Sequence, residues 1–198
     1  MNATVSAGTV PVRFRQGAGR LCLDFVRTLR YRGTPEVTEE LTGPEALVAW
    51  VTQCGPFDGT LRVPLPVQSE VDEAKALREA VHALLMASLG DGGPAAVGAS
   101  ARNRLNRAAA AAVPTPRLAP SGELRWLADD PVPATLSLVA RDALELAASP
   151  ALLARVHACA SPACGALFLD HSRPGTRRWC SMDICGNQAK RAGLRARA

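Results

Sequence analysis

The sequence predicts an α+β chain: a mainly helical region over residues 1–150 with a small β component, then a compact module of a β-hairpin and a helix over residues 151–198. Three observations lead there. Apolar residues recur at helical spacing through 69–89 and again through 133–148. Short strand-like stretches flank turn residues at Pro120-Ser121-Gly122. Two cysteine pairs of matched spacing, C159-A-S-P-A-C164 and C180-S-M-D-I-C185, lie in the tail.

Residues 9–16 alternate apolar and polar side chains, the pattern of a short edge strand, which Gly17 and Gly19 break. The apolar run from Leu21 to Val26 starts a helix, and Arg30 to Pro35 reads as loop. Thr42 or Gly43 caps the next helix, with Pro44 in its first turn and Leu47, Val48, Trp50 and Val51 along it, ending near Cys54-Gly55-Pro56. A Pro-rich linker at 56–66 follows. The clearest helix spans 69–89: Ser69 precedes it, acids fill its first turn, and Ala74, Leu77, Val81, Leu84, Leu85 and Leu89 make one stripe. Further helices are expected at about 95–112 and 133–148, with a hairpin at 115–128 between them.

Composition narrows the class. The chain has 198 residues, 47% hydrophobic and 21% charged, the balance of an ordinary globular protein. No apolar run is long enough to cross a bilayer. The first residues lack a basic start followed by an apolar stretch, so no secretory leader is expected and a cytoplasmic setting follows. Cysteines in such a reducing compartment serve more often as metal ligands or core residues than as disulfides.

Charge is unevenly placed. Residues 151–198 carry eight basic side chains against Asp170 and Asp183, a net of +6, which leaves −1 for residues 1–150. A polyanion is the natural partner for such a tail.

Cys159, Cys164, Cys180 and Cys185 have the arrangement a tetrahedral zinc requires: each pair closes a tight turn, and the insert brings the pairs together. Gly165 and Gly186 follow the second cysteine of each pair, where backbone N–H groups turn toward the sulfurs. Two disulfides or four buried thiols are the alternatives. Four thiolates close the coordination shell, so one structural Zn(II) per chain is expected, with His157 and His171 as loop residues. Cys22 and Cys54 read as structural. Past Cys185, Lys190, Arg191, Arg195 and Arg197 fall on one helical arc with Leu194 among them, while Ala189, Ala192 and Ala196 face the other way and would seat the helix on the zinc hairpin. With Arg177 and Arg178 beside the third ligand, that arc is a candidate nucleic-acid face, or else a solvated terminal helix. Asn187 and Gln188 open the helix, where their amides would read adenine or cap the helix.

The tail motifs C-G-A-L-F-L-D, R-R-W-C-S-M and C-G-N-Q-A-K resemble the CGNR-type zinc finger of bacterial proteins. The segment G19-R-L-C-L-D-F-V-R-T28 and the helix T42-G-P-E-A-L-V-A-W50 resemble the ABATE domain that precedes that finger. The resemblance implies a treble-clef-like finger and a stress-linked or otherwise regulatory DNA-binding protein. Two positions depart from the pattern: Gln188 stands where the motif has Arg, and Arg27 where the upstream motif has Asn. Asp24 and Arg27 then mark a candidate ligand pocket, or simply pair with each other.

Three functions follow. The leading one is a DNA-binding transcriptional regulator whose N-terminal domain senses a small molecule or mediates assembly. The second is a finger that grips RNA or protein. The third is an enzyme with its site in residues 1–150, against which stands the lack of a Ser/His/Asp pattern, a phosphate loop or a histidine cluster. His82 reads as a lone structural histidine, and a non-enzyme is expected.

Overall fold

In the computed structural model, which describes residues 13–58 and 62–195, the apolar run after Gly19 folds into helix α1, Leu21–Val26, burying Cys22, Leu23, Phe25 and Val26. Residues 9–12 of the expected edge strand lie outside the described residues. Residues 13–16 run as irregular backbone, with the Phe14 N–H donating to Gln53 Oε1 at 3.1 Å. A side-chain amide takes the place of a partner strand there. The expected loop at 30–35 is the tip of a small antiparallel pair, β1 (Leu29–Arg30) and β2 (Thr38–Glu39), with Leu29 opposite Glu39.

Helix α2, Pro44–Cys54, starts from Gly43 with proline in its first turn and buries Leu47, Trp50 and Val51. The Phe25 and Trp50 rings meet at 4.7 Å between centroids, a contact that adds about 0.5–1.5 kcal/mol to the burial itself. Helix α3 spans Gln68–Leu89 and buries the predicted stripe except Leu89, which is exposed. Its start differs from the expectation. Ser69 lies inside the first turn, and the Glu70 carboxylate reaches back to accept the Val67 N–H at 2.7 Å. The expected helix at 95–112 is divided: a 3-10 turn at Pro94–Ala96, then α4 at Ala99–Ala110. Proline sets the turn, and Gly98 separates it from the helix.

The hairpin β3 (Thr115–Leu118) and β4 (Leu124–Leu127) forms where the turn residues place it, with Leu118 opposite Leu124. Helix α5, Pro131–Ala147, buries Val139, Ala143 and Leu146 and packs on α1, α2, α3 and α4. It is the centre of the helical region because its two sides meet different partners.

A short helix α6, Pro150–Leu153, is capped by the Ser149 hydroxyl and leads to β5 (Val156–Ala158). Strand β5 pairs antiparallel with β6 (Leu167–Leu169), setting His157 opposite Phe168. All three residues of β6 are buried, and they belong to one cluster of buried side chains with Leu23, Phe25 and Trp50. The Leu169 N–H donates to the Ala18 carbonyl at 2.7 Å, so the C-terminal module is joined to the helical region by backbone as well as by apolar contact.

Gly19 sits on this seam with φ +93°, and a Cβ there would lie 3.0 Å from the Leu169 carbonyl oxygen and 3.1 Å from His171 Nε2. Gly19→Ala should therefore destabilise the chain by about 1–2 kcal/mol from the left-handed backbone alone, before any cost of parting the seam. Thermal unfolding checks this; a melting temperature equal to the parent's would show that the seam yields freely.

Candidate metal centre and nucleic-acid interface

The first cysteine pair occupies the turn between β5 and β6. The Cys159 N–H donates to the Ala166 carbonyl at 2.9 Å, closing the hairpin over the loop that carries Cys164. Gly165 takes φ +59°, a left-handed position reached without strain only by glycine. The second pair comes from a π-turn, Met182–Gly186, with Cys180 just before it and Cys185 within it. Gly186 is not left-handed. It is small for a different reason: a Cβ would meet Met182 Sδ at 3.0 Å and Trp179 Cδ1 at 3.4 Å.

All four sulfurs lie within 4.8 Å of one another, and all four residues are buried. Cys164 and Cys180 sulfurs are 3.6 Å apart, and those of Cys180 and Cys185 3.7 Å. Zinc–thiolate bonds of about 2.3 Å put tetrahedral sulfurs about 3.8 Å apart, so the cage has the right size. A disulfide needs about 2.05 Å, well short of these separations. Protonation points the same way. The Cys180 thiol, donating to Cys164, holds the Cys164 pKa well down. That same bond to Cys164, together with burial, pushes Cys180 up. The charge on Cys164 in turn opposes ionisation of Cys180 and Cys185, an opposition that a bound dication relieves. The Cys180 N–H, 3.5 Å from the Cys159 sulfur, supplies outer-shell support. His157 and His171 stand outside the cluster, His157 against the Phe168 ring and His171 at the Gly19 carbonyl.

Sequence reasoning missed what holds the insert in place. Asp170 is fully buried and accepts from the N–H groups of Ser172 at 2.8 Å and Arg177 at 2.9 Å. Those bonds, the Arg177 N–H first, draw its pKa down to about 2. Arg155 Nε donates to the Asp170 carbonyl at 2.6 Å. The L-F-L-D run marks a strand end but carries no signal that the acid turns inward.

The comparisons with known proteins meet this geometry. The model of the ABATE family, described as "Putative stress-induced transcription regulator", matches residues 19–150, well over half of the chain. The chain belongs to the ABATE family. A second model, the CGNR zinc finger, matches residues 155–198 and contains all four cysteines. A search of curated proteins finds no match. The cysteine cage and the finger model agree on one structural zinc ion per chain.

The ABATE-family chain places its basic residues unequally. Arg177 faces inward: its guanidinium lies 4.6 Å from the Phe168 ring centroid and donates to the carbonyls of Trp179 at 2.8 Å and Cys180 at 2.5 Å. Arg178 is exposed, over the Trp179 ring. Helix α7, Asn187–Arg195, contacts chiefly the π-turn, and Lys190, Arg191 and Arg195 are exposed on it. The expected seating of this helix by alanines is not met. Ala189 is half-buried but Ala192 is exposed, the helix packing chiefly on the π-turn. Ala196 and Arg197 lie outside the described residues. Asn187 Nδ2 donates to the Asp183 carbonyl at 3.1 Å, while Gln188 is exposed. Asp24 accepts from the Ala18 N–H at 2.9 Å and the Gly17 N–H at 3.3 Å, shaping the turn before α1, with Arg27 Nη1 at 3.5 Å. Arg27 itself is buried and lines a cavity at the seam.

Proposed function

We propose that this chain is a DNA-binding transcription regulator in which the finger, residues 151–198, grips the duplex and the N-terminal domain, residues 1–150, senses a small effector. The family descriptions speak of regulation and a zinc finger, not of catalysis. No helix among the described residues is long and apolar enough to cross a membrane.

One observation carries the reading. Every ion pair among the described residues lies within residues 20–145, so the exposed Arg178, Lys190, Arg191 and Arg195 have no acid to satisfy them. Unpaired cations on a helix that follows directly on the second cysteine turn suit a phosphate backbone. Gln188, at the first turn, is the better placed amide for a base edge, since Asn187 is engaged with Asp183.

Fluorescence anisotropy with a labelled duplex tests this. With four phosphate contacts, log affinity should fall with log salt at a slope of roughly −3 to −4, each contact releasing about 0.9 counterion. Arg191→Ala with Arg195→Ala should weaken binding to all sequences and flatten the slope by up to ~2, with zinc content unchanged. Parent-like binding and slope in the double variant would make the helix a solvated face. Leu194, 68% exposed within the basic arc, and Met182, 51% exposed on the π-turn, favour a protein partner as the second reading.

A further inference from the structure

A small cavity lies at the seam between the helical region and the finger, with Cys164 in its wall. Arg15, Arg27, Arg30 and Arg32 line it, with Tyr31 and His82, and the finger closes it with Cys164 to Leu167; no carboxylate is among its walls. The acids that pair with three of these arginines are not among the cavity walls. Glu40 holds Arg30 at 3.1 Å, Glu79 holds Arg32 at 2.6 Å, and Asp24 is 3.5 Å from Arg27. These three guanidinium groups are thus each held by an acid outside the cavity wall and keep donors to spare.

Those spare donors are specific. Arg32 Nε is buried without a hydrogen-bond partner among the described residues. Arg27 is only 6% exposed, yet among the described residues its side chain bonds from Nη1 alone, at 3.4 Å to Gln16 and 3.5 Å to Asp24, near the outer limit of a hydrogen bond. A buried guanidinium so thinly satisfied costs stability unless something else accepts from it. Tyr31 adds strain at the same place, with φ +55°, a conformation disfavoured for a bulky side chain and common at ligand sites.

Size selects the ligand group. The cavity measures about 30 Å³, room for two or three waters, since each needs roughly 10–15 Å³. That accommodates the oxygens of a carboxylate or phosphate and excludes a ring. A wider groove of about 310 Å³ shares Arg15, Tyr31 and Cys164 with it and runs past Ser161 to Gln188.

We infer that this seam binds a small molecule by its oxyanion, a carboxylate or phosphate seated among Arg15, Arg27, Arg30 and Arg32, with the rest of the molecule in the groove toward Gln188. This deepens the sensor part of the proposed function: the ligand touches the finger's first cysteine turn and the start of α7, so binding would set the angle at which that helix is presented. Arginine forks suit planar oxyanions through paired charge-assisted bonds.

Calorimetry on the full-length zinc-loaded protein at constant ionic strength tests it, with inorganic phosphate, pyrophosphate and succinate as probes. Saturable one-to-one binding of at least one probe is expected, weakened about tenfold or more in Arg15→Ala and in Arg27→Asn. Arg15 is half-exposed, so its variant keeps the fold if the buried Arg27 variant does not. Binding by none of the three, or equal binding by Arg15→Ala, would overturn the proposal and leave the arginines as counter-charges to the zinc tetrathiolate. If duplex DNA displaces bound phosphate competitively, the seat belongs to the DNA backbone and the small-molecule proposal also fails. The probe titrations need no DNA, so failure of the DNA reading would leave them interpretable.

Discussion

Removing the metal should unfold the finger while residues upstream of Ser149 keep their helices. A structural zinc in a small module contributes an apparent ~10–16 kcal/mol at neutral pH, far more than a segment of this size gains from burial. Cys164→Ser deletes the sulfur that lies 3.6 Å from Cys180 and leaves three thiolates unable to close the shell. Metal analysis of the purified parent should return one zinc per chain, and the variant none. Circular dichroism should retain most helical signal in the variant, because the long helices α3, α4 and α5 pack on each other. The melting temperature should nevertheless drop. Strand β6 would no longer hold Leu169 against Ala18, and the buried Leu167, Phe168 and Leu169 would leave the shared core. A parent free of zinc, with disulfides among these cysteines, would refute the cage.

Glu39→Ala should be the most damaging single change within the helical region. Arg78 is 3% exposed and bonds both Glu39 oxygens, at 2.6 and 2.7 Å, with Glu79 Oε1 at 2.9 Å and Thr28 Oγ1 at 3.2 Å. Removing one partner of a buried pair strands the other charge and costs about 3–5 kcal/mol; the lower end applies here because Glu79 remains. Glu39→Gln, which keeps an acceptor oxygen, should lose less. The pH dependence has a definite sign. Burial raises the Glu39 pKa, but the Arg78 bonds more than offset this and hold it below its ordinary 4.5; Glu79 is lowered likewise, its burial outweighed by Arg32 and Arg78. Groups with depressed folded values contribute fully above the unfolded value and lose that contribution as pH falls through the folded one. Denaturant titrations should therefore show stability falling below about pH 4.5 in the parent and falling less in Glu39→Ala. Equal acid sensitivity in both would mean that the pair does not govern it.

The two predictions rest on features of unequal legibility. The zinc site was readable because its determinants are local: two tight turns with a thiol at each end, and a metal whose ligand number and softness leave few alternatives. Helices α2, α3 and α5 were readable because a 3.6-residue apolar period over many residues has one burial solution. The start of α3 at Val67 was not legible, since Ser69 is as good a cap by type and only the backbone decides which residue turns first.

What only the tertiary structure decided is which charges face one another. Arg78 meets Glu39 across 39 residues, and Arg32 meets Glu79 across 47. No periodicity records such pairings. Arg177 and Arg178 are neighbours of one type in the sequence, yet one is bound to backbone carbonyls and the other faces solvent. The alanines of α7 look like a packing face, yet the helix packs chiefly on the π-turn and Ala192 meets solvent. The cavity at the seam gathers Arg15, five positions between 27 and 32, His82 on α3 and the first cysteine turn, segments that only packing brings together. Sequence by itself determined the metal, the helices and the excess of positive charge, because each is set by spacing along one segment. The tertiary structure determined where that charge is free, where it is spent inside, and where it surrounds a cavity, because electrostatic partners are chosen by distance in space.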